Sequence, residues 1–340
     1  MLQQRGFEAE QVRDGDSSAQ QAGLLILVGH GMDFPRWAAQ FVEPTPRPRT
    51  LLWQLEPLPP PGTTDGMHAI GRQIARAGWQ ECIGGPGRFL EGRVPLPRVV
   101  RGLVRRWHAA RLRRELLRVG GHEWDFGAGC MMQNAIWLHT HAIGPSRWID
   151  DLVCSLPTRV EYLREQGIPS RFVPVGYHRL WGEDRQRPRD IDMLFIGRLR
   201  AIRRARQVRA VVGRLNRLGF KAVIAPLETL GEARTELLSR TKIVLNILNF
   251  PWEFPGMRLL MAIGCGALVV SEVCADTRPW IAGEHFVPVT SSTTVETLVS
   301  LLNDDSCREA LARRARDCLL AQNTMAHSVD QLLIKARSCC

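Results

Sequence analysis

The stretch Lys242–Glu272, KIVLNILNFPWEFPGMRLLMAIGCGALVVSE, holds two strand patterns and a helix around one carboxylate. Ile243 to Leu248 is a short apolar run rich in β-branched residues, the pattern of a strand buried on both faces of a parallel sheet. A turn-rich loop follows, Asn249 to Gly256, and then Met257, Leu260, Met261 and Ile263 recur at helical spacing. Gly264-Cys265-Gly266 stops that helix, and Ala267 to Val270 reads as the next buried strand. This is one βαβ unit, and Glu253 stands just ahead of its helix N-terminus, at the end of a parallel strand where open α/β sheets place their sites.

The chain has 340 residues, 45% hydrophobic and 23% charged, enough for two domains with separate cores. Its apolar runs stop well short of the roughly 18 residues that cross a bilayer, and the polar start lacks the apolar core of a signal peptide, so a soluble cytoplasmic protein is expected. Nine cysteines show no Cys-x-x-Cys spacing, and Cys154 and Cys265 lie inside apolar patterns as reduced, buried thiols would. A net charge of +11, carried mainly by arginine, asks for an anionic partner. Nucleic acid, an anionic membrane surface and a phosphate-bearing small molecule all meet that demand.

In chain order, a polar tail over residues 1–21 leads to Gly23 to Val28, a buried-strand run that ends in Gly29-His30-Gly31. Glycines after a first strand let a ligand approach the backbone, although a tight turn with an incidental histidine has the same pattern. Thr50 to Leu55 reads as a second strand. Between Arg98 and Arg118 eight arginines and one acid accompany apolar residues at near-helical spacing, which gives a basic amphipathic helix: either a solvated face or a membrane-docking one. Asn134 to Leu138 reads as a strand that exits through His139 and His141, two imidazoles at i and i+2 pointing the same way. No further ligand cluster accompanies them, so they are expected at a cleft as hydrogen-bonding or acid/base groups rather than on a metal. A helix over 158–166 and a strand over 171–175 complete this half.

The second half opens with a strand from Asp192 to Ile196, closed by Gly197-Arg198 and followed by Arg203 and Arg204. Close backbone approach at Gly197 and guanidinium groups at a helix start suit phosphate oxygens; a plain arginine-rich helix surface is the alternative. A strand at 222–225, a helix at 233–239, a last strand within 283–289 and helices at 294–302 and 308–322 complete an alternating α/β pattern.

On these residues the run from Asp192 to about Gln322 resembles the C-terminal half of a GT-B glycosyltransferase of the spore-maturation type, related to retaining enzymes that use nucleotide sugars. The resemblance rests on Ser239 to Ile247, Trp252 to Leu259, Gly264 to Glu272 and Gly283 to Phe286. It implies an α/β GT-B fold, two Rossmann-like domains facing a central cleft: an acceptor-side domain over 22–180, a nucleotide-sugar domain over 190–322, and a closing segment over 323–340 that can pack back on the first domain.

The resemblance also assigns roles. Glu253 would lie by the donor sugar, with His139 or His141 bonding the sugar or assisting at the acceptor. Gly197, Arg198, Arg203, Arg204, Phe254, Pro255, Gly256, Met257 and Arg258 would hold the donor diphosphate, and Gly29, His30 and Gly31 the acceptor side. Related enzymes carry a second glutamate eight residues on, at the ribose; here that position is Met261, and Glu272 is the candidate substitute. The expected function is sugar transfer from a nucleotide sugar to an acceptor, metal-independent, with retention and with no resident cofactor. The expected partners are the donor, an acceptor and an anionic membrane surface at which the protein attaches peripherally. The contrasting expectation is an inactive GT-B-like protein that binds nucleic acid or an anionic surface through its arginines.

Overall fold

Short apolar strands separated by helices build two all-parallel sheets in this computed structural model, which describes residues 2–41, 46–63, 128–143, 147–199, 202–226, 228–250, 252–254 and 256–337. The basic helix expected over 98–118 lies outside the described residues. The chain divides into two compact units, Glu10–Phe172 and Val173–Cys340 with Met1–Ala9.

The first unit contains β1 (Leu24–Gly29), α1 (Pro35–Gln40), β2 (Arg49–Gln54), α2 (Ala128–Ile143), β3 (Asp151–Cys154), α3 (Pro157–Glu165) and β4 (Arg171–Phe172). Its strands lie in the order β1-β2-β3-β4, with Leu27 beside Leu52 and Leu52 beside Leu152. Leu27, Leu52, Val153 and Cys154 are buried, as continuous apolar strands covered on both faces must be. Arg171 closes the last pair by donating to Asp151 on β3 at 2.7 Å.

One expectation fails here. Asn134 to Leu138 with His139 and His141 is helical, inside α2, and is not a strand exit. The controlling pattern is longer than the apolar run: Met131, Ala135, Leu138 and Ala142 are buried at i, i+4, i+7 and i+11, the stripe of an amphipathic helix. Because a helix turns about 100° per residue, His139 and His141 point to different sides rather than the same way.

The second unit contains β5 (Ile191–Phe195), α4 (Ile202–Arg217), β6 (Ala222–Ile224), α5 (Gly231–Ser239), β7 (Thr241–Asn246), α6 (Gly256–Gly264), β8 (Leu268–Glu272) and β9 (Val287–Val289). Helices α7 (Thr294–Asn303), α8 (Asp305–Gln322) and α9 (Met325–Arg337) follow. The order β6-β5-β7-β8-β9 is the doubly wound arrangement. Alternation along the strands feeds two cores. Leu194, Val244 and Val269 meet Leu259, Leu260 and Ile263 of α6 on one face. Met193, Phe195, Ile243, Leu245 and Val270 meet Val208 and Leu215 of α4 and Leu298 of α7 on the other.

The chain ends are tied into the second unit. Arg5 donates to the Ala326 carbonyl at 3.0 Å and to Asp330 at 2.7 Å, both on α9. Tyr177 exchanges backbone hydrogen bonds with Asn323 and Met325, each 2.7 Å, and Ser328 donates to the Pro174 carbonyl at 2.8 Å.

Candidate functional site

In the second unit β5 connects through α4 to β6 on one side, while the next strand in sequence, β7, pairs with β5 on the other. The connections therefore part between β5 and β7, and the crevice at their carboxyl ends is where a doubly wound sheet takes its ligand. The residues there are Ile196-Gly197-Arg198 after β5 and Asn246-Ile247-Leu248 on and after β7.

Arg258, in the first turn of α6, reaches into this crevice. Its Nε donates to the Ile196 carbonyl at 2.6 Å and its Nη1 to Oδ1 of Asn246, so one guanidinium staples β5 to β7. It also lies 4.9 Å from the centroid of the Phe195 ring. Asn246 is held in turn: its Nδ2 donates to Ser271 Oγ on β8 at 2.8 Å, and both side chains are fully buried. Burial first, then repulsion from Arg204, pushes the Arg258 guanidinium down to about 9, while arginine at neutral pH stays charged. Among the described residues no carboxylate neutralises it.

Gly197 belongs to the same construction. Its φ is +140°, outside the range of ordinary side-chain-bearing residues, and a Cβ there would overlap the Arg258 guanidinium. The glycine at the strand exit thus admits an arginine and leaves the Arg258 Nη2 facing bare backbone. Met257 and Gly256 open α6 beside it; a helix start leaves its first amide donors without helical partners. Phe254, buried and 4.9 Å from the Phe286 ring, pins the loop that delivers them. Pro255 lies outside the described residues.

Glu253 is 3% exposed, in the same loop. Its backbone N–H closes a turn on the Phe250 carbonyl at 3.2 Å, and Phe250 stacks on Trp252 at 5.3 Å. Its charge is felt by Cys274 just past β8, whose thiol is pushed up by burial first and then by Asp276 and Glu253. Glu272 accepts three hydrogen bonds within the protein: Arg203 donates to both its oxygens at 2.8 and 3.2 Å, and the Leu248 N–H donates at 2.9 Å. Arg203 also donates to the Leu248 carbonyl at 2.5 Å. Arg204 points inward, is buried and donates to the Arg198 carbonyl, while Arg198 is exposed. Met261 packs against the apolar cluster under α6.

The expected residues of the first unit form a local arrangement of their own. Asp33 accepts from the His30 N–H at 3.2 Å, and Gly29 has φ +137°. Gly31 is packed so closely on the Trp137 indole of α2 that any side chain would overlap it. Burial holds the His30 imidazole below its ordinary pKa against the opposing pull of Asp33 and Glu56, and burial alone does the same for His141. The His141 ring lies 4.4 Å from Trp137, a packing contact one helical turn away.

The metal-free expectation passes over two Asp-x-Asp runs, and the structure shows what both do. Asp14 accepts from the Arg36 and Trp37 N–H groups, at 3.0 and 3.1 Å, and Asp16 from Ser18 at 3.0 Å. Asp190 pairs with Lys221 and Arg240, each at 2.6 Å, and Asp192 with Lys242 at 2.7 Å, at the start of β5 and away from the crevice. Among the described residues no group of three or more His, Cys, Asp or Glu side chains is placed to hold a metal.

Asn246 and Ser271 are the residues that sequence reasoning missed. Their signal was present: a polar side chain at the end of an otherwise apolar buried strand needs a partner.

Comparison with known proteins bears on the fold. Sucrose-phosphate synthase from Thermosynechococcus elongatus shares the fold at TM-score 0.50 and 13% identity, over 91% of this chain and 76% of that one. WaaG, a glycosyltransferase involved in lipopolysaccharide biosynthesis, aligns over 92% of this chain and 98% of that one, at TM-score 0.49 and 14% identity. TarM aligns at TM-score 0.43 and 10% identity over 54% of this chain, which spans 43% of the TarM chain. No curated protein sequence matches. The chain is a mixed α/β protein of the GT-B type. Its residues 199–334, within the second unit, match the sequence model of the glycosyl transferase-like family.

Proposed function

We propose that this protein is a glycosyltransferase that moves a sugar from a nucleotide-sugar donor to an acceptor, and that the donor diphosphate lies over Gly197 at the β5/β7 crevice. The observation that carries this reading is Arg258: a half-buried guanidinium, fixed by Ile196 and Asn246, with no carboxylate partner among the described residues and one nitrogen directed over a glycine. A partly desolvated cation without a counter-charge is costly, and an anionic ligand relieves that cost. Such fixed donors also stabilise a leaving diphosphate as its charge grows.

In the proposed reaction the bond from the anomeric carbon to the diphosphate oxygen breaks and the diphosphate keeps the electron pair. The acceptor oxygen bonds to that carbon and passes its proton to the departing diphosphate oxygen. Arg258, the first amides of α6 and Arg198 bind the diphosphate, with Arg204 contributing positive potential from its buried position. Glu253 orients the sugar hydroxyls from the loop after β7, and transfer proceeds with retention and without a metal ion. His139, Gly29 and His30 serve the acceptor side. Met261 faces the core, so Glu272, still 12% exposed while it holds Arg203, is the carboxylate offered to the ribose.

A thermal-shift panel of UDP-, GDP-, dTDP- and ADP-sugars on the wild type, Arg258→Met and Glu253→Ala tests this reading. At least one nucleotide sugar should stabilise the wild type, and Arg258→Met should weaken it by about tenfold or more, the loss of one charged hydrogen-bonding partner. Glu253→Ala should bind nucleoside diphosphate almost normally yet lose transfer. No stabilisation by any donor would remove the transferase reading; full transfer by Glu253→Ala would remove the role of Glu253.

A further inference from the structure

From Met193 to Leu227 the sequence holds eight arginines and one lysine but no acid. The structure sorts them. Arg204 is buried and Arg203 is neutralised by Glu272, whereas Arg206, Arg209, Arg214 and Arg217 are all exposed on α4. At about 100° per residue these four fall in an arc of about 140°, opposite the buried Val208, Val211 and Leu215. Arg217 donates to the Gly213 carbonyl, one turn back, at 3.1 Å. Arg206, Arg209 and Arg214 make no ion pair among the described residues. The neighbouring α7 brings a single acid, Glu296.

A charged face of this kind is ordinarily just solvated, but two features single this one out. No acid within the helix offsets the arginines, so their fields add instead of cancelling. Large aliphatic side chains are also exposed at its two ends, Ile202 at 69% and Leu218 at 49%. The face lacks an aromatic residue on which a base could stack, as single-stranded nucleic-acid sites require. Arginines flanked by aliphatic side chains instead match the interface of a negatively charged bilayer, where guanidinium groups meet lipid phosphates and short apolar groups enter the headgroup boundary.

We propose that the outward face of α4 docks this protein on a bilayer surface rich in anionic lipid. The docking residues are Arg206, Arg209, Arg214 and Arg217 with Ile202 and Leu218, and none of the six belongs to the candidate donor site.

Vesicle flotation tests this with full-length protein, using phosphatidylcholine vesicles with and without phosphatidylglycerol, at low and high salt. The variants are Arg206→Glu/Arg209→Glu/Arg214→Glu and the matching triple lysine substitution, each checked by thermal melting for an intact fold. Wild type should float only with phosphatidylglycerol and should be released by salt. The glutamate triple should lose partitioning by about tenfold or more, from roughly one favourable surface interaction per arginine. The lysine triple should keep most of it. Failure of the wild type to bind anionic vesicles would overturn the proposal, and so would full binding by the glutamate triple, which would place attachment elsewhere on the chain. Single-stranded RNA that bound tighter than the vesicles and displaced them would overturn it in favour of a nucleic-acid face. Each of these outcomes is independent of whether the protein binds a nucleotide sugar.

Discussion

Gly197 and Arg258 are one feature written at two positions, because the missing side chain of the first is the space the second occupies. Gly197→Ala should therefore do two things: destabilise by about 1–3 kcal/mol through backbone strain and overlap, and weaken nucleotide binding by displacing the guanidinium. Urea melts and diphosphate titration of the same sample check both; an alanine variant with unchanged melting would show that Arg258 can sit elsewhere at little cost. A second prediction concerns protons. His141 is held below its ordinary pKa by burial, so the unfolded chain takes up a proton at higher pH than the native one. Its contribution to stability is fully present above the unfolded value of about 6.5 and is lost as pH falls through the lowered native value. His141→Gln should accordingly lose less stability than wild type between about pH 7 and pH 5, as read by denaturant titration. Equal losses would mean that the imidazole protonates freely when folded.

At the scale of elements, the turn after β1 and helix α2 meet where Gly31 lies on Trp137. Sequence reasoning assigns that glycine to ligand approach, whereas its neighbour in the structure is an indole. Gly31→Ala should cost about 1–3 kcal/mol by overpacking, and a smaller residue at position 137 should recover part of the loss in a double-mutant cycle. Strict additivity of the two substitutions would argue against direct contact. In the second unit Phe286 is fully buried against Phe254, which steers the Glu253 loop into α6. Phe286→Ala should remove about 3–5 kcal/mol of stability and loosen the loop, seen as faster amide exchange in the residues just before α6.

For the whole molecule, the chain ends matter. Met1–Ala9 cluster with the second unit although the residues that follow them belong to the first, and Arg5 grips α9 through Ala326 and Asp330. Removing residues 1–9 should speed amide exchange in α9 while leaving β5, β7 and β8 protected; unchanged exchange in α9 would make the tail dispensable. The described helices include none long and apolar enough to cross a membrane. The bilayer contact proposed for α4 rests on exposed arginines and is a surface contact. Such binding should have the salt dependence of exposed charges, in contrast to the diphosphate proposed for the partly desolvated crevice.

Much of this architecture is legible in the residues alone. Buried β-branched runs alternating with helical stripes are enough to place β1, β2, β5 and β7 to within a residue or two and to put Glu253 between a strand and a helix, because parallel strands covered on both faces must be continuously apolar. Gly197 and Arg258 can be picked out individually by the same local reasoning. Local pattern could not say what they meet. That Asn246 aims Arg258, that Arg203 is occupied by Glu272 while Arg206 and Arg209 are exposed, and that Gly31 belongs to Trp137 all depend on residues distant in sequence. The strand reading at His139 failed for the same reason, since its apolar run was one part of a longer buried helical stripe. Periodicity tells which side of an element is buried; only the order β6-β5-β7-β8-β9 decides which strand ends share a crevice, and so which charges are left to meet a ligand.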